Sequence, residues 1–429
     1  MSLAAQFEQA LSYPFCPPRR CSGATFTRLS RSNFVRYVGR MAQYELIILG
    51  SPPPGACATI AANLGPVLVD FEMTMPDDLA IRTPQDLADR NPAASTAALY
   101  FGGDPIIDKD VIDNLEAARV PIVPIVPAGE KLATTVPAEI CNTNAYFLDP
   151  ADPGMVGVTA VALECLGLLR RQRRVFISYR RDDSRSAAVQ LHDELSGRGY
   201  DVFLDTHDII PGDIFQEMLW HRLADCDVVI MLDTKDYFAS KWTKQELGRS
   251  LAQGIHILRI IWPRQAGEKG ASRHLSLSDS MLLTLDDFDS NGILDAARIS
   301  EVVRRTETLR SRSVASRHRE IAGKLRIEAE RIGGTFEGIG AHRSMTLSLP
   351  NGLVVEAYPA VGVPTAELLN DIHEKARQAN HGRLPCLVYD HHGIRPGWRK
   401  HLEWLNEQVK EVRALQVFDA AWELAEWDS

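Results

Sequence analysis

From Arg174 to Leu285 the chain repeats one pattern: a short apolar run, a charged or glycine-bearing turn, and a longer amphipathic stretch. The runs Arg174–Tyr179, Asp201–Leu204, Val228–Leu232, Ile257–Trp262 and Met281–Leu285 are largely non-alternating. That is expected of strands buried on both faces of a parallel sheet. Parallel neighbours need a crossover, usually a helix. Asp183 or Ser184 can cap the first helix, which packs through Ala188, Leu191 and Leu195 and stops at Gly197 or Gly199. Asp213, with Gln216 three residues on, sets a capping-box spacing for the second. The pattern predicts an open parallel α/β unit over residues 172–310.

Two further units flank it. Over 44–171 the expected strands are Tyr44–Leu49, Pro66–Phe71, Ala97–Phe101, Pro121–Val126 and Ala145–Leu148, with helices at Lys109–Arg119 and Val156–Arg171. Pro121–Pro127 sits where Ile257–Pro263 sits, and Tyr146–Asp149 where Leu283–Asp286 does, which suggests an internal repeat. Over 311–429 the expected class is α+β. A charged helix near His318–Ile332 precedes apolar runs that flank Asn351-Gly352, a strong hairpin signal. Helix Thr365–Ala379, strand Pro385–Tyr389 and a tryptophan-rich helical end follow. Residues 1–43 are basic, with Arg19, Arg20, Arg28, Arg31, Arg36 and Arg40 against Glu8, and read as a disordered leader or a start upstream of a natural Met41.

Composition narrows the class. The 429 residues are 45% hydrophobic and 24% charged, as in an ordinary globular protein, and each unit is long enough to bury a core. A formal net charge of −9 argues against a general nucleic-acid binder. Seven cysteines without a CxxC pair or zinc spacing fit a reducing, cytoplasmic setting. No apolar run approaches the roughly 20 residues that span a bilayer, so no membrane partner is expected.

The middle unit concentrates the chemistry. In an open α/β sheet, ligands bind at the carboxyl ends of the strands. Tyr179, Arg180, Arg181 and Asp182 leave the first strand there, Asp205 the second, Asp233 and Thr234 the third. Ser240 can cap a helix that puts Trp242 and Glu246 one turn apart. Guanidinium groups and helix starts suit a pyrophosphate, and an aromatic ring can stack on a base. A carboxylate stabilises an oxocarbenium-like sugar carbon. Plainer readings stand beside these. Glu246 could pair with Lys241 or Arg249 at the surface, and Trp242 could be core. Arg180 and Arg181 could be a surface pair, Asp205 could cap its loop, and Cys226 reads as core. Gly50–Gly55 is a weak phosphate cradle because its prolines lack amide donors. Asp390-His391-His392 tempts a metal reading, but adjacent histidines on an extended chain point to opposite sides, so no metal is expected.

The middle unit also resembles a TIR domain of the bacterial, NAD⁺-cleaving type. The resemblance rests on Val175-Phe-Ile-Ser-Tyr-Arg-Arg181, Val202-Phe-Leu-Asp205, Pro211-Gly212 and the pair Trp242…Glu246. It implies a flavodoxin-like five-stranded parallel sheet, with 44–171 a degenerate TIR-like or Rossmann-like copy. That copy lacks Trp-x-x-x-Glu after its third strand, so no catalysis is expected there. The resemblance implies Glu246 as the essential residue and substrate contacts from Tyr179, Arg180, Arg181, Asp205, Ile210, Phe215 and Trp242. A second acid of some members has no clear match near Ile209 and Ile210, although Asp208 is close. It further implies NAD⁺ as substrate, not cofactor, and release of nicotinamide with ADP-ribose or a cyclic isomer. Self-association through TIR–TIR contacts and a role in bacterial, antiphage immunity follow, with an activating ligand or partner protein on the flanking units. The main rival reading is a non-enzymatic TIR scaffold or decoy; a second is a nuclease or phosphoesterase in the third unit that would depend on His391.

Overall fold

The computed structural model describes residues 42–204, 215–237, 241–263, 278–379 and 382–426. The first unit comprises β1 (Tyr44–Gly50), α1 (Ala56–Asp70), β2 (Leu79–Arg82), β3 (Ser95–Phe101), α2 (Lys109–Ala117), β4 (Ile122–Val126), α3 (Leu132–Thr135), β5 (Tyr146–Phe147) and α4 (Val156–Cys165). Its five strands are all parallel, in the order β2-β1-β3-β4-β5. Pro66–Phe71, expected as a strand, is instead the end of α1. Ile60, Leu64, Val67, Leu68 and Phe71 are buried while Val69 is exposed, a spacing of 3.6 and not of 2. The missing strand is β2, four residues that carry almost no periodic signal.

The middle unit comprises β6 (Arg173–Ser178), α5 (Arg181–Gly197), β7 (Tyr200–Leu204), α6 (Phe215–Asp225), β8 (Val228–Asp233), α7 (Lys241–Ala252), β9 (His256–Ile261) and β10 (Ser278–Leu282). Its parallel sheet runs β7-β6-β8-β9-β10, the same winding as the first. The fold class is therefore α/β and flavodoxin-like, preceded by a second domain of the same kind. The matched runs of the internal repeat include the fourth strand of each sheet, β4 and β9.

One helix, α8 (Ala296–Arg331), then serves all three units. At 1.5 Å per residue it is about 54 Å long. Ile299, Val302, Val303 and Leu309 enter the middle core, Val314 and Ala315 the first, and Ile321, Leu325 and Ala329 the third. The expected boundary between 310 and 311 falls inside this continuous helix. At that point Arg310, 0% exposed, meets Glu164 of the first unit at 2.8 Å, Asp227 of the middle unit at 3.1 Å and Glu307 of its own helix at 3.0 Å. Burial alone would lower the Arg310 pKa, but these carboxylates raise it above the ordinary range. Burial likewise pushes Asp227 up, and Arg170 and Arg310 outweigh it, so its carboxyl titrates below the usual range.

The third unit adds β11 (Thr335–Ile339), β12 (Met345–Ser348), β13 (Val354–Ala360), α9 (Ala366–Ala379), β14 (Leu384–Tyr389), α10 (Pro396–Gln408), β15 (Arg413–Gln416) and α11 (Ala420–Ala425). Its sheet is mixed, antiparallel from β11 to β13 and parallel from β13 to β15. Gly352 takes φ +86 in the turn between β12 and β13. The expected tryptophan-rich helical end also contains the short strand β15.

Candidate functional site

The carboxyl ends of β6 and β8 lie side by side, because the two strands pair directly. Arg180 leaves β6 as the N-cap of α5, with extended φ −100 and ψ 123. Its guanidinium is held by Asp183 at 3.3 Å, Asp236 at 3.3 Å and Asp182 at 3.6 Å. Arg181 opens α5 and is exposed. The helix begins at Arg181, earlier than the expected cap, and Ser184 breaks it with φ −143. Asp183 therefore does not cap the helix. Its carboxylate accepts from the Thr234 hydroxyl at 2.9 Å, which ties the start of α5 to the end of β8.

Below this polar rim the floor is firm. The hydroxyls of Ser178 and Tyr237 lie 2.7 Å apart and are buried. Asp233, fully buried, accepts from Arg259 Nε at 2.8 Å and Nη2 at 2.5 Å. Tyr179 is 3% exposed and packs in the core of the middle unit. These strand ends thus carry Arg180, Arg181, Asp182, Asp183, Thr234 and Asp236 above a satisfied polar layer.

Helix α7 begins at Lys241, directly after the expected cap Ser240, which lies outside the described residues. Positions 242 and 246 are one turn apart on it. The side chains of Trp242, Glu246 and Phe215 lie outside the described residues, as do Asp205 and Ile210. The Asp183–Thr234, Ser178–Tyr237 and Asp233–Arg259 contacts were not anticipated. The third had a signal: Arg259 is a lone charge inside the apolar strand Ile257–Trp262, and a buried charge requires a partner.

The opposite end of the sheet is also polar. A cavity of about 460 Å³ opens between β5, α4 and the starts of β6 and β7, lined by residues including Tyr146, Asp149, Arg173, Arg198, Tyr200 and Glu307. Arg198 bridges to Asp149 at 2.8 Å, so this space lies between two units and not at the strand ends that carry Arg180.

The strand order defines a flavodoxin-like α/β domain. Residues 175–287 match the family model of the TIR domain, TIR_2, and the middle unit is a TIR domain. The match covers well under half of the chain. No curated protein matches. Among solved structures, the chain is similar to the TIR domains of the activated Roq1 resistosome directly recognizing the pathogen effector XopQ, at 17% identity, over 34% of this chain and 82% of that chain, with a TM-score of 0.20. It is also similar to a periplasmic sugar-binding protein of an ABC sugar transporter from Legionella pneumophila, at 12% identity, over 62% of this chain and 93% of that chain, with a TM-score of 0.17. At these scores neither likeness bears on function. Among the described residues, no helix is long and apolar enough to cross a membrane.

Proposed function

We propose that the middle unit is an NAD⁺ glycohydrolase, with Glu246 as the catalytic carboxylate and the crevice residues as the dinucleotide seat. The observation that carries this reading is the TIR match over 175–287 with position 246 on α7, the helix that follows β8. Bond cleavage at the nicotinamide ribose builds positive charge on the sugar carbon, and an anion beside it stabilises that charge. Nicotinamide leaves neutral, so no general acid is required. Arg180 and Arg181, beside the start of α5, suit the pyrophosphate, with Trp242, Asp205, Ile210 and Phe215 completing the seat. The products would be nicotinamide and ADP-ribose or a cyclic isomer. Self-association would switch the activity on in a cytoplasmic, antiphage immune setting, with the flanking units receiving the signal.

The test is to incubate purified full-length protein with NAD⁺, with and without a crowding agent, and to separate products by chromatography. Nicotinamide release that Glu246→Ala removes supports the reading; none from folded, self-associated protein overturns it. One observation favours the scaffold reading. Tyr179 is spent on the core and Arg180 on three aspartates, so neither side chain is free for a ligand without rearrangement.

A further inference from the structure

After β14 the chain makes a tight turn through Asp390, His391, His392 and Gly393, the glycine with φ +80. The turn overrides the expectation that adjacent histidines splay apart. The two imidazoles stack, with centroids 4.5 Å apart and an interplanar angle of 27°. Phe418, just after β15, packs edge-on against both, at 5.7 and 5.0 Å. One ligand-type atom from each of Asp390, His391 and His392 falls within a common 4.8 Å. Asp390 Oδ1 lies 2.6 Å from His392 Nδ1 and accepts from the His392 backbone N–H at 2.9 Å. His391 Nδ1 is buried without a hydrogen-bond partner among the described residues.

The surroundings have room for an occupant. A cavity of about 20 Å³ lies against Asp390 and His392, lined also by Gln253, Glu320 and Lys324. That is space for roughly one water-sized group. Gln253 Oε1 is buried and lacks a partner among the described residues. The nearby Lys324 ammonium is engaged by Glu320 at 2.7 Å and lies 4.9 Å from the Phe418 ring centre, so this pair brings no net charge to the turn.

We propose that Asp390, His391 and His392 form a binding site for a divalent transition-metal ion of the zinc class, with water completing its coordination. Imidazole nitrogens and a carboxylate suit zinc, nickel or copper better than calcium or magnesium. Donors about 2.0–2.2 Å from one ion stand roughly 3–3.5 Å apart, so binding would draw the 4.8 Å set together, with the half-exposed His392 the side chain free to turn. The site would also fasten two units together. Gln253, at the end of α7, donates to the His392 carbonyl at 3.1 Å. A Cβ at Gly393 would stand 2.8 Å from Gln253 Nε2, 2.9 Å from Ala224 Cβ and 3.2 Å from the Trp220 carbonyl. The ion therefore stiffens the turn on which α6 and α7 rest.

Full-length protein stripped with a chelator and dialysed against Zn²⁺ tests this by metal analysis and titration calorimetry. A single ion per chain is expected, lost in His391→Ala/His392→Ala, with Asp390→Asn, which removes the anionic ligand, weaker by at least about 10-fold. Zn²⁺ should raise the melting temperature of the wild type and not of the double variant. His391→Gln/His392→Gln serves if the alanine variant fails to fold. Absence of stoichiometric zinc, or equal binding by a folded double variant, overturns the proposal. The readout is independent of NAD⁺ turnover, so either proposal can fail alone.

Discussion

The first and middle units wind their five strands identically yet finish them differently. At the end of β1, Gly50 donates its N–H to Asp108 at 2.8 Å, and a Cβ there would stand 2.2 Å from the Phe101 carbonyl oxygen. Ser51 crowds Gly103 in the same way, and three prolines follow. The segments that follow β1 and β3, residues 51–55 and 102–107, contain no arginine. At the equivalent end of β6 stand Arg180, Arg181 and three aspartates. Topology is shared; side-chain chemistry is not. A common fold therefore assigns no common activity.

The comparison can be broken most directly at Glu246. Glu246→Ala should lower nicotinamide release by at least about 10²-fold, the scale of losing one preorganised electrostatic group. Asp108→Ala in the first unit should leave the rate per folded molecule unchanged. Loss of turnover in both would show that the first unit takes part in chemistry.

Next in size is the lock between the two units. Arg310→Leu removes one cation from Asp227, Glu164 and Glu307, which keep Arg170 and Arg173, so the cost in urea unfolding should stay below the roughly 3–5 kcal/mol of a fully uncompensated buried charge. A cost near zero would mean that water reaches the junction. Gly50→Ala places a side chain at φ +77 against a carbonyl and should destabilise by about 1–3 kcal/mol. Gly197→Ala, in helical backbone with nothing near the added Cβ, should be close to neutral.

A pH dependence is also expected. Burial lowers His221 and His256 from the ordinary 6.5 to about 4. The unfolded chain therefore binds protons that the folded chain refuses, and stability falls as pH drops from about 6.5 toward 4. Residues 44–171 contain no histidine. His318 of α8, also lowered well below 6.5 by burial, packs at 5.8 Å against Phe71 of the first unit, so hydrogen exchange should show β9, α6 and the Phe71 end of α1 loosening together as pH falls; no loosening at any of them would contradict this origin.

Legibility tracked local signal strength. Runs such as Val228–Leu232 and the Asn351-Gly352 turn announced their structure because burial on two faces and positive φ each demand particular residues. Pro66–Phe71 misled because a short apolar run reads alike in a strand and in a buried helix. The crevice was partly legible: Arg180, Asp233 and Thr234 stand at strand ends as expected. Their cross-element partners were less legible: Asp183 meets Thr234 and Asp236 meets Arg180 between elements distant in sequence, and only the lone charge of Arg259 hinted at its pairing.

By itself the sequence determined the α/β rhythm, the placement of the TIR domain and the acidic candidate on α7, since these depend on neighbours within a few residues. Only the tertiary structure decided that one 36-residue helix feeds three cores, that Arg310 neutralises carboxylates from two units, and that His391 and His392 stack. Those outcomes depend on which distant groups share a low-dielectric space, and composition and periodicity contain no such distance.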